Sequence, residues 1–405
     1  MKKQVICRGF GLMLMLAGHS IFAQTNLAMQ DCLQDCEATL QAPRIKFSLH
    51  SDSFSFDNVG QSYASKTHFD NLTSFTTLSH NALLKSVEHA EPWLKYGLLG
   101  AHLMANIRLQ FGNAYVLHEY AHLELDHHLG FDNVFVGKTD EHENVVGEDA
   151  YINNVLRMSF GMVPWDFTSR KVGNTSDGVY TQADLYARSI AAGLNFNTYL
   201  AEESYHNMLH HQAAMTEAVA YLSNKLFPAI YFKADDEIGG DPSDYLKALL
   251  YLDVKIDKSE VQTLNLAAAL LSNGFLSSVY QFPKYFKAVH NISLLNMQTS
   301  VFDQHVKLFW PEFSTYLNTL GVSVQAEVFA EIANVGLLGL AVEKNVLGEN
   351  EGMDLTASYA FSYGKLQPEI ALTFNTEGGY FADLGLNYHI NDHLSLTSKV
   401  FSGGV

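Results

Sequence analysis

The stretch Ala114-Tyr-Val-Leu-His-Glu-Tyr-Ala-His-Leu-Glu-Leu-Asp-His-His-Leu-Gly130 predicts a helix that carries metal-binding side chains on one face. Residues 114–129 contain no Gly or Pro, and Gly130 is a typical C-cap. His118 and His122 are four residues apart, so their imidazoles lie one turn apart on the same face. Such a pair can bind one tetrahedral cation, and Glu119 can take a proton from water bound to it.

Residues 118–122 read His-Glu-Tyr-Ala-His, which is the HExxH pattern. Over this helix the chain resembles the zincin superfamily of metallopeptidases. The resemblance implies zinc as cofactor, His118 and His122 as ligands through neutral imidazoles, and Glu119 as general base and then acid. It also implies a polypeptide substrate whose peptide bonds are hydrolysed. The chain departs from the pattern at Glu124, where zincins usually have a hydrophobic residue.

A catalytic zinc takes three protein ligands and one water, so a third side chain is required. His128 has metzincin spacing, but Leu125 stands where that branch has a chain-bending Gly, so the gluzincin branch is preferred. Gluzincins take a Glu from a later, separate helix. Glu148, predicted to open a helix, and Glu203, within a predicted helix at 181–211, are equal candidates for the third metal ligand.

A di-iron carboxylate site is an alternative reading of the same residues. Glu-x-x-His occurs at 119–122 and again at 203–206. Two such motifs with two further carboxylates, such as Glu91 and Glu148, can build a di-iron centre in a helical bundle. Two His at i and i+4 are the rarer feature, so zinc is favoured over iron.

The N-terminus has the features of a secretory signal peptide. Lys2 and Lys3 precede an apolar run at 9–18, and residues 20–23 end in a small-residue cleavage site. We therefore expect residues 1–23 to be a signal peptide and the protein to be exported, either periplasmic or associated with the outer membrane. Cys32 and Cys36 are one helical turn apart, so a disulfide is expected in that compartment.

Composition limits the classes of partner. The 405 residues are 47% hydrophobic, enough to build a large core. The formal net charge is −18, which argues against nucleic acid or an anionic membrane surface as an electrostatic partner. The sequence does not indicate an oligomeric state.

The apolar periodicity predicts an α+β protein, with a mostly α-helical metallopeptidase-like domain followed by a C-terminal antiparallel β module. Residues 24–80 are predicted to be an irregular lead-in. Residues 81–300 have apolar positions every three to four residues, which is typical of helices. Residues 312–405 change to a period of two, with turn residues between six or seven strands.

Two interpretations of the β module stay open. Alternating strands of about ten residues with aromatics near their ends are typical both of a sheet packed on helices and of a partial outer-membrane-type barrel. Membrane association through this module, or through apolar helices such as 262–283, is therefore an alternative to a buried core. The rival function is an envelope or outer-membrane structural protein whose helical domain is non-catalytic or holds di-iron.

Overall fold

Helices dominate the first two thirds of the chain in the computed structural model. The structure describes residues 45–46, 63–128, 135–139, 145–148, 151–160, 168–169, 182–210, 213–238, 240–287, 292–301, 304–333, 335–349, 352–361, 366–376, 379–391 and 394–404. The predicted signal peptide, Cys32, Cys36 and most of the lead-in at 24–80 lie outside these residues. The helices are α1 (Tyr63–Ser86), α2 (Pro92–His128), α3 (Tyr151–Phe160), α4 (Gln182–Leu209), α5 (Met215–Ile238), α6 (Asp241–Tyr251), α7 (Lys258–Leu271) and α8 (Asn273–Gln281).

The later part of the chain forms one large sheet. Its strands are β1 (Ile45–Lys46), β5 (Asn296–Val301), β6 (Gln304–Phe309), β7 (Glu312–Asn318), β8 (Gly321–Ile332), β9 (Gly336–Gly348), β10 (Asp354–Ala360), β11 (Leu366–Asn375), β12 (Tyr380–Asn391) and β13 (Leu394–Gly404). The order is β1-β13-β12-β11-β10-β9-β8-β6-β5, with β7 also paired to β8. Neighbours are antiparallel except β1 and β13. Three short strands, β2 (Phe135–Thr139), β3 (Val145–Glu148) and β4 (Thr168–Ser169), form a second sheet.

The predicted α+β class is confirmed, with a helical part followed by a C-terminal antiparallel sheet. The secondary structure differs from the prediction in two segments, residues 63–80 and residues 284–297. Residues 63–80, expected to be irregular, belong to α1. Their polar composition is untypical of a helix, but the hydroxyls of Thr76 and Thr77 donate to the Thr73 carbonyl within it. Residues 284–297, expected to be helical, give a 3-10 turn (Phe282–Phe286) and the start of β5.

The motif residues lie on a long helix, since α2 runs without interruption from Pro92 to His128. Gly112 serves packing instead of ending the helix. A Cβ at this position would lie 2.9 Å from the Ser159 backbone nitrogen, so the glycine lets α3 approach α2 closely.

The helix α4 links the metal-binding helix to the sheet. Its Asn195 side chain donates to the Leu317 carbonyl of β7 and accepts from the Leu317 N–H, both at 2.8 Å. Around this bridge the buried side chains of Ile190, Leu194 and Phe227 pack together with Leu317. Because a buried amide must satisfy both its oxygen and its nitrogen, this two-point contact fixes the position of α4 against β7.

The apolar stretch at 262–283 contributes to two helices, α7 and α8, that meet at Ser272. Among the described residues, the helices are all too short or too polar to cross a membrane.

Candidate metal centre

His118 and His122 project from α2 one turn apart, and their Nε2 atoms lie 3.1 Å from each other. Both imidazoles are buried, with 0% and 1% of their surface exposed. The Oδ2 atom of Asp241, the first residue of α6, lies 2.8 Å from His118 Nε2 and 3.0 Å from His122 Nε2. Within the described part of the chain, this trio is the one group of three His, Cys, Asp or Glu side chains arranged to hold a metal ion.

The second ring nitrogen of each imidazole has an acceptor. His118 Nδ1–H donates to Asn197 Oδ1 at 3.1 Å, and His122 Nδ1–H donates to the Ser189 carbonyl at 2.6 Å. In each neutral ring the proton therefore sits on Nδ1, and the Nε2 lone pair faces the other ligands. This is the tautomer that a metal-binding histidine needs.

The amide orientation of Asn197 follows from its own contacts. Its Nδ2 donates to the Ala114 carbonyl at 2.9 Å and to Asn224 Oδ1 at 3.0 Å, which leaves Oδ1 free to accept from His118. Asn224 in turn donates to the Ala220 carbonyl at 2.9 Å. Three helices, α2, α4 and α5, thus fix one imidazole through a chain of buried hydrogen bonds.

Gly193 of α4 makes room for the pair of rings. A Cβ at this position would lie 2.5 Å from His118 Cε1 and 2.6 Å from His122 Nε2. Any larger residue would collide with both imidazoles, because real Cβ atoms do not approach ring atoms this closely. Gly193 therefore marks a close approach of α4 to the metal-binding face.

Asp241 is brought to the site by the connection between α5 and α6. Pro242 follows it in the first helical turn, a position that proline favours. Burial opposes ionisation of the Asp241 carboxyl, but without a metal the adjacent imidazoles, when protonated on Nε2, outweigh burial and hold its pKa well below its usual range. The carboxylate is therefore charged, and its side chain is 21% exposed, whereas both imidazoles are closed off.

The three groups fit a small divalent cation. Two imidazole lone pairs and one carboxylate oxygen converge with separations of 2.8, 3.0 and 3.1 Å. Ligands of a tetrahedral zinc at about 2.0–2.1 Å lie roughly 3.3 Å apart, so a modest expansion accommodates such an ion. Three acceptors facing one another repel unless a cation lies between them, so the donor set is complementary to a metal.

Glu119 directly follows His118 on α2 and is 6% exposed. Its carboxylate accepts a hydrogen bond from the Tyr115 hydroxyl. Burial, together with Glu119, Tyr231 and Asp241, raises the pKa of Tyr115 above its usual range, so its hydroxyl remains protonated. The ring of Tyr231 stands nearly perpendicular to that of His118, with centroids 5.3 Å apart. The rings of Tyr115 and Tyr231 therefore both lie against His118.

No family model, curated protein or solved structure matches this chain. The resemblance to zincins therefore rests on the residues of the site.

The two residues predicted as third ligand are placed elsewhere or not described. Glu203 Oε2 pairs with Lys66 Nζ of α1 at 2.5 Å. Glu203 is ten residues beyond Gly193 on α4, about 15 Å along the helix axis, which separates it from the imidazoles. Glu148 ends β3 instead of opening a helix, and its side chain is outside the described residues.

Sequence reasoning missed Asp241 because it sought a Glu within a later helix. The signal available was Gly239-Gly240-Asp241-Pro242, a turn that places a carboxylate at a helix start. Asp126 is linked to the site indirectly, through Ser189. It accepts a short hydrogen bond from the Ser189 hydroxyl, and the Ser189 carbonyl accepts from His122.

Proposed function

We propose that this protein is a zinc-dependent hydrolase that cleaves peptide bonds, with His118, His122 and Asp241 as metal ligands and Glu119 as general base. The observation that carries the proposal is the convergence of two Nε2 lone pairs and one carboxylate oxygen within 3.1 Å. Each imidazole is held in the metal-binding tautomer by a separate buried acceptor, which supports a built site over a chance cluster.

The choice of zinc is supported by the donor set and by Glu119. Two imidazoles with one carboxylate are typical of zinc hydrolases, and they also occur in mononuclear iron oxygenases. Glu119, a buried acid one residue after the first ligand, can transfer protons in hydrolysis. Oxygen activation at an iron centre does not require such a group. The arrangement therefore favours hydrolysis over oxidation.

The roles of the protein groups follow from their positions. His118, His122 and Asp241 hold the cation and leave one coordination position for water or substrate. Zinc, when bound, supplies Lewis acidity that polarises a carbonyl and acidifies water. Glu119 takes one proton from the attacking water and delivers it to the amide nitrogen, so that hydroxyl adds to the carbonyl carbon as the C–N bond breaks.

The Tyr115 hydroxyl and the ring of Tyr231 are proposed to position the groups of the site. Tyr115 O–H is directed to Glu119 and orients that carboxylate. The rings of Tyr231 and Phe227 lie 5.3 and 5.4 Å from His118 between centroids, and they exclude water from its buried side. Approach of a substrate is therefore expected from the partly exposed Asp241 side.

The predicted signal peptide supports action outside the cytoplasm, so we propose an envelope or extracellular polypeptide as the substrate class. Unfolded polypeptide is the appropriate first probe, because an extended chain can present its amides to a recessed metal.

The test combines metal analysis with one conservative variant. The purified protein is expected to contain one zinc per chain and to hydrolyse a fluorescently labelled unfolded polypeptide, with activity lost on chelation and restored by zinc. Glu119→Gln is expected to keep the zinc and lose about 10²–10⁴-fold in rate. Glu124→Gln, the same charge change on the same helix, is the matched control and is expected to behave as the parent protein.

Metal content and kinetics each give a result that overturns the proposal. A protein that binds iron and no zinc contradicts the assigned metal. A Glu119→Gln variant that hydrolyses polypeptide at the parent rate contradicts the assigned base. A protein that holds zinc and shows no hydrolysis even of small amide substrates contradicts the catalytic role and leaves a structural metal.

A further inference from the structure

The outer face of the large sheet is apolar, although it faces away from the helices. It consists of alternate positions 338–342 of β9, 355–359 of β10, 366–374 of β11 and 380–386 of β12, which we call the apolar band. All fifteen of its side chains are Leu, Val, Ile, Ala, Pro, Phe or Tyr. A sheet packed on helices in water normally has this pattern reversed, with apolar residues inward and polar residues outward.

The inner face of the same strands is polar and covered. Gln367 of β11 is 8% exposed, and its Nε2 lies 2.6 Å from His210 Nδ1 at the end of α4. Thr356 and Thr373 hydroxyls lie 2.8 Å apart across β10 and β11 on this face. Polar side chains of β10 and β11 thus pair with one another or with His210 on the inner face, while the apolar residues face outward.

The exposed area is large for a surface in water. Ten large apolar residues of the band are between 38% and 59% exposed. Taking about 200 Å² for a whole residue, they expose on the order of 900 Å², more than the ~300–600 Å² of the largest apolar patch on a typical monomer. Exposure of this much apolar surface to water is unfavourable, so we expect another apolar surface to cover it.

The dimensions of the band match a hydrocarbon layer. From Leu366 to Phe374 along β11 are eight residue steps, or about 27 Å at ~3.4 Å each, close to the ~25 Å apolar band of proteins embedded in an outer membrane. The register aligns Phe374 with Tyr380 and Leu355 at one end of the band. Lys344 lies two residues beyond Val342 of β9, and it is the first charged residue on this face of β9 past that end.

The chemistry of the band favours acyl chains over a protein partner. Protein interfaces carry about one hydrogen bond per 100–200 Å², so a partner covering this area would need several polar contacts. Within the band only Tyr359 and Tyr380 have polar atoms, and the Tyr359 hydroxyl already donates to the Val335 carbonyl at 2.8 Å. Each of β9–β12 is also paired on both sides, so these strands expose no open edge.

We propose that the apolar band docks into the acyl-chain layer of a membrane. The proposal is independent of the metal centre. The charge of −18 disfavours attraction to an anionic lipid surface, so the driving force is burial of the band in hydrocarbon.

The experiment is flotation with vesicles of phosphatidylcholine, a lipid without net charge. The full chain is purified in mild detergent and mixed with the lipid, and the detergent is then removed. The band variant is Leu340→Asp with Leu384→Asp, at positions 51% and 53% exposed. The control is Met104→Asp with Leu250→Asp, at helical positions 56% and 54% exposed, which adds the same charge elsewhere.

The parent protein and the control are expected to float with the vesicles, and the band variant is expected to lose at least tenfold in the floating fraction. Circular dichroism and the unfolding midpoint in detergent check that both variants fold. A parent protein that stays with the soluble fraction as a monomer overturns the proposal. A parent protein that dimerises without lipid, and is made monomeric by the band variant, also overturns it and assigns the face to a second copy. Equal flotation of all three proteins would show that the apolar band does not mediate membrane binding.

Discussion

Asp241 Oδ2 lies 2.8 Å from His118 Nε2, although the two residues are 123 positions apart in the chain. The helices α4 and α5, which lie in the intervening sequence, pack against α2, so the turn after α5 returns the chain to the imidazole pair. The same oxygen is 3.0 Å from His122 Nε2. The metal centre is therefore assembled from the middle of one helix and the first residue of another.

Replacement of Asp241 tests the third ligand. Asp241→Ala removes the charged member of the trio, and we expect zinc affinity to fall by at least about 100-fold, more than the loss of a supporting residue would cause. Glu203→Ala is the comparison, because Glu203 pairs with Lys66 instead. Metal content after dialysis against a weak chelator measures both. Loss of zinc in Glu203→Ala, with retention in Asp241→Ala, would reverse the assignment.

Gly193→Ala tests the close approach of α4 to the rings. Its Cβ would lie 2.5–2.6 Å from ring atoms of His118 and His122, so we expect weaker zinc binding and a lower free energy of unfolding. Gly97→Ala in α2 is the matched control, since no atom lies within 4 Å of its Cβ and alanine is the better helix former by about 0.5–1 kcal/mol. Zinc titration and thermal unfolding distinguish the pair. Equal zinc affinity in the two variants would contradict the steric argument.

Two buried asparagines of α4 separate ring positioning from stability. Asn197→Ala removes the acceptor of His118 Nδ1–H, and we expect a 10–100-fold loss of zinc affinity. Asn195→Ala removes the contacts to Leu317 of β7, and we expect destabilisation of roughly 1–3 kcal/mol with zinc affinity retained. Calorimetric zinc titration and chemical denaturation of each variant measure the two effects. A common loss of affinity in both variants would show that Asn197 acts through stability alone.

The buried carboxyl group of Glu202 predicts a pH-dependent stability. Burial and the Glu327 carboxylate raise the pKa of Glu202 from about 4.5 to about 7, and the hydrogen bond from Tyr316 at 2.6 Å only partly opposes them. The folded protein then keeps a proton that the unfolded chain releases. This contribution is complete below pH 4.5 and lost as the pH rises through 7, on the order of 3 kcal/mol.

Denaturation at pH 5 and pH 8 tests this prediction. Glu202→Gln is expected to show a smaller decline in unfolding free energy than the parent protein. Glu260→Gln, at an exposed position of α7, is expected to decline as the parent does. Burial lowers the pKa of His206 but Glu327 outweighs it and raises that pKa to about 9, so part of the decline, between about pH 6.5 and 9, persists in Glu202→Gln. Parallel pH profiles for all three proteins would contradict a protonated Glu202.

Local sequence patterns predicted most helices and strands and two of the metal ligands, His118 and His122. The spacing of His118 and His122 places two ligands on one face, because the geometry of a helix is set by its own hydrogen bonds. The period of two at 355–359 and 380–390 identified strands with one apolar face for the same reason. The need for glycine at position 193 arises only from the packing of α4 against the two imidazoles.

The sequence by itself determined the α+β class, the two-histidine face and the acidic neighbour Glu119, since each depends on spacings within one helix or strand. Only the tertiary structure decided that, among the acidic residues of the described ranges, Asp241 and not Glu203 meets the imidazoles. It also decided that the apolar side of β9–β12 faces outward, because alternation fixes which residues share a face, while packing against α4 fixes which face is covered.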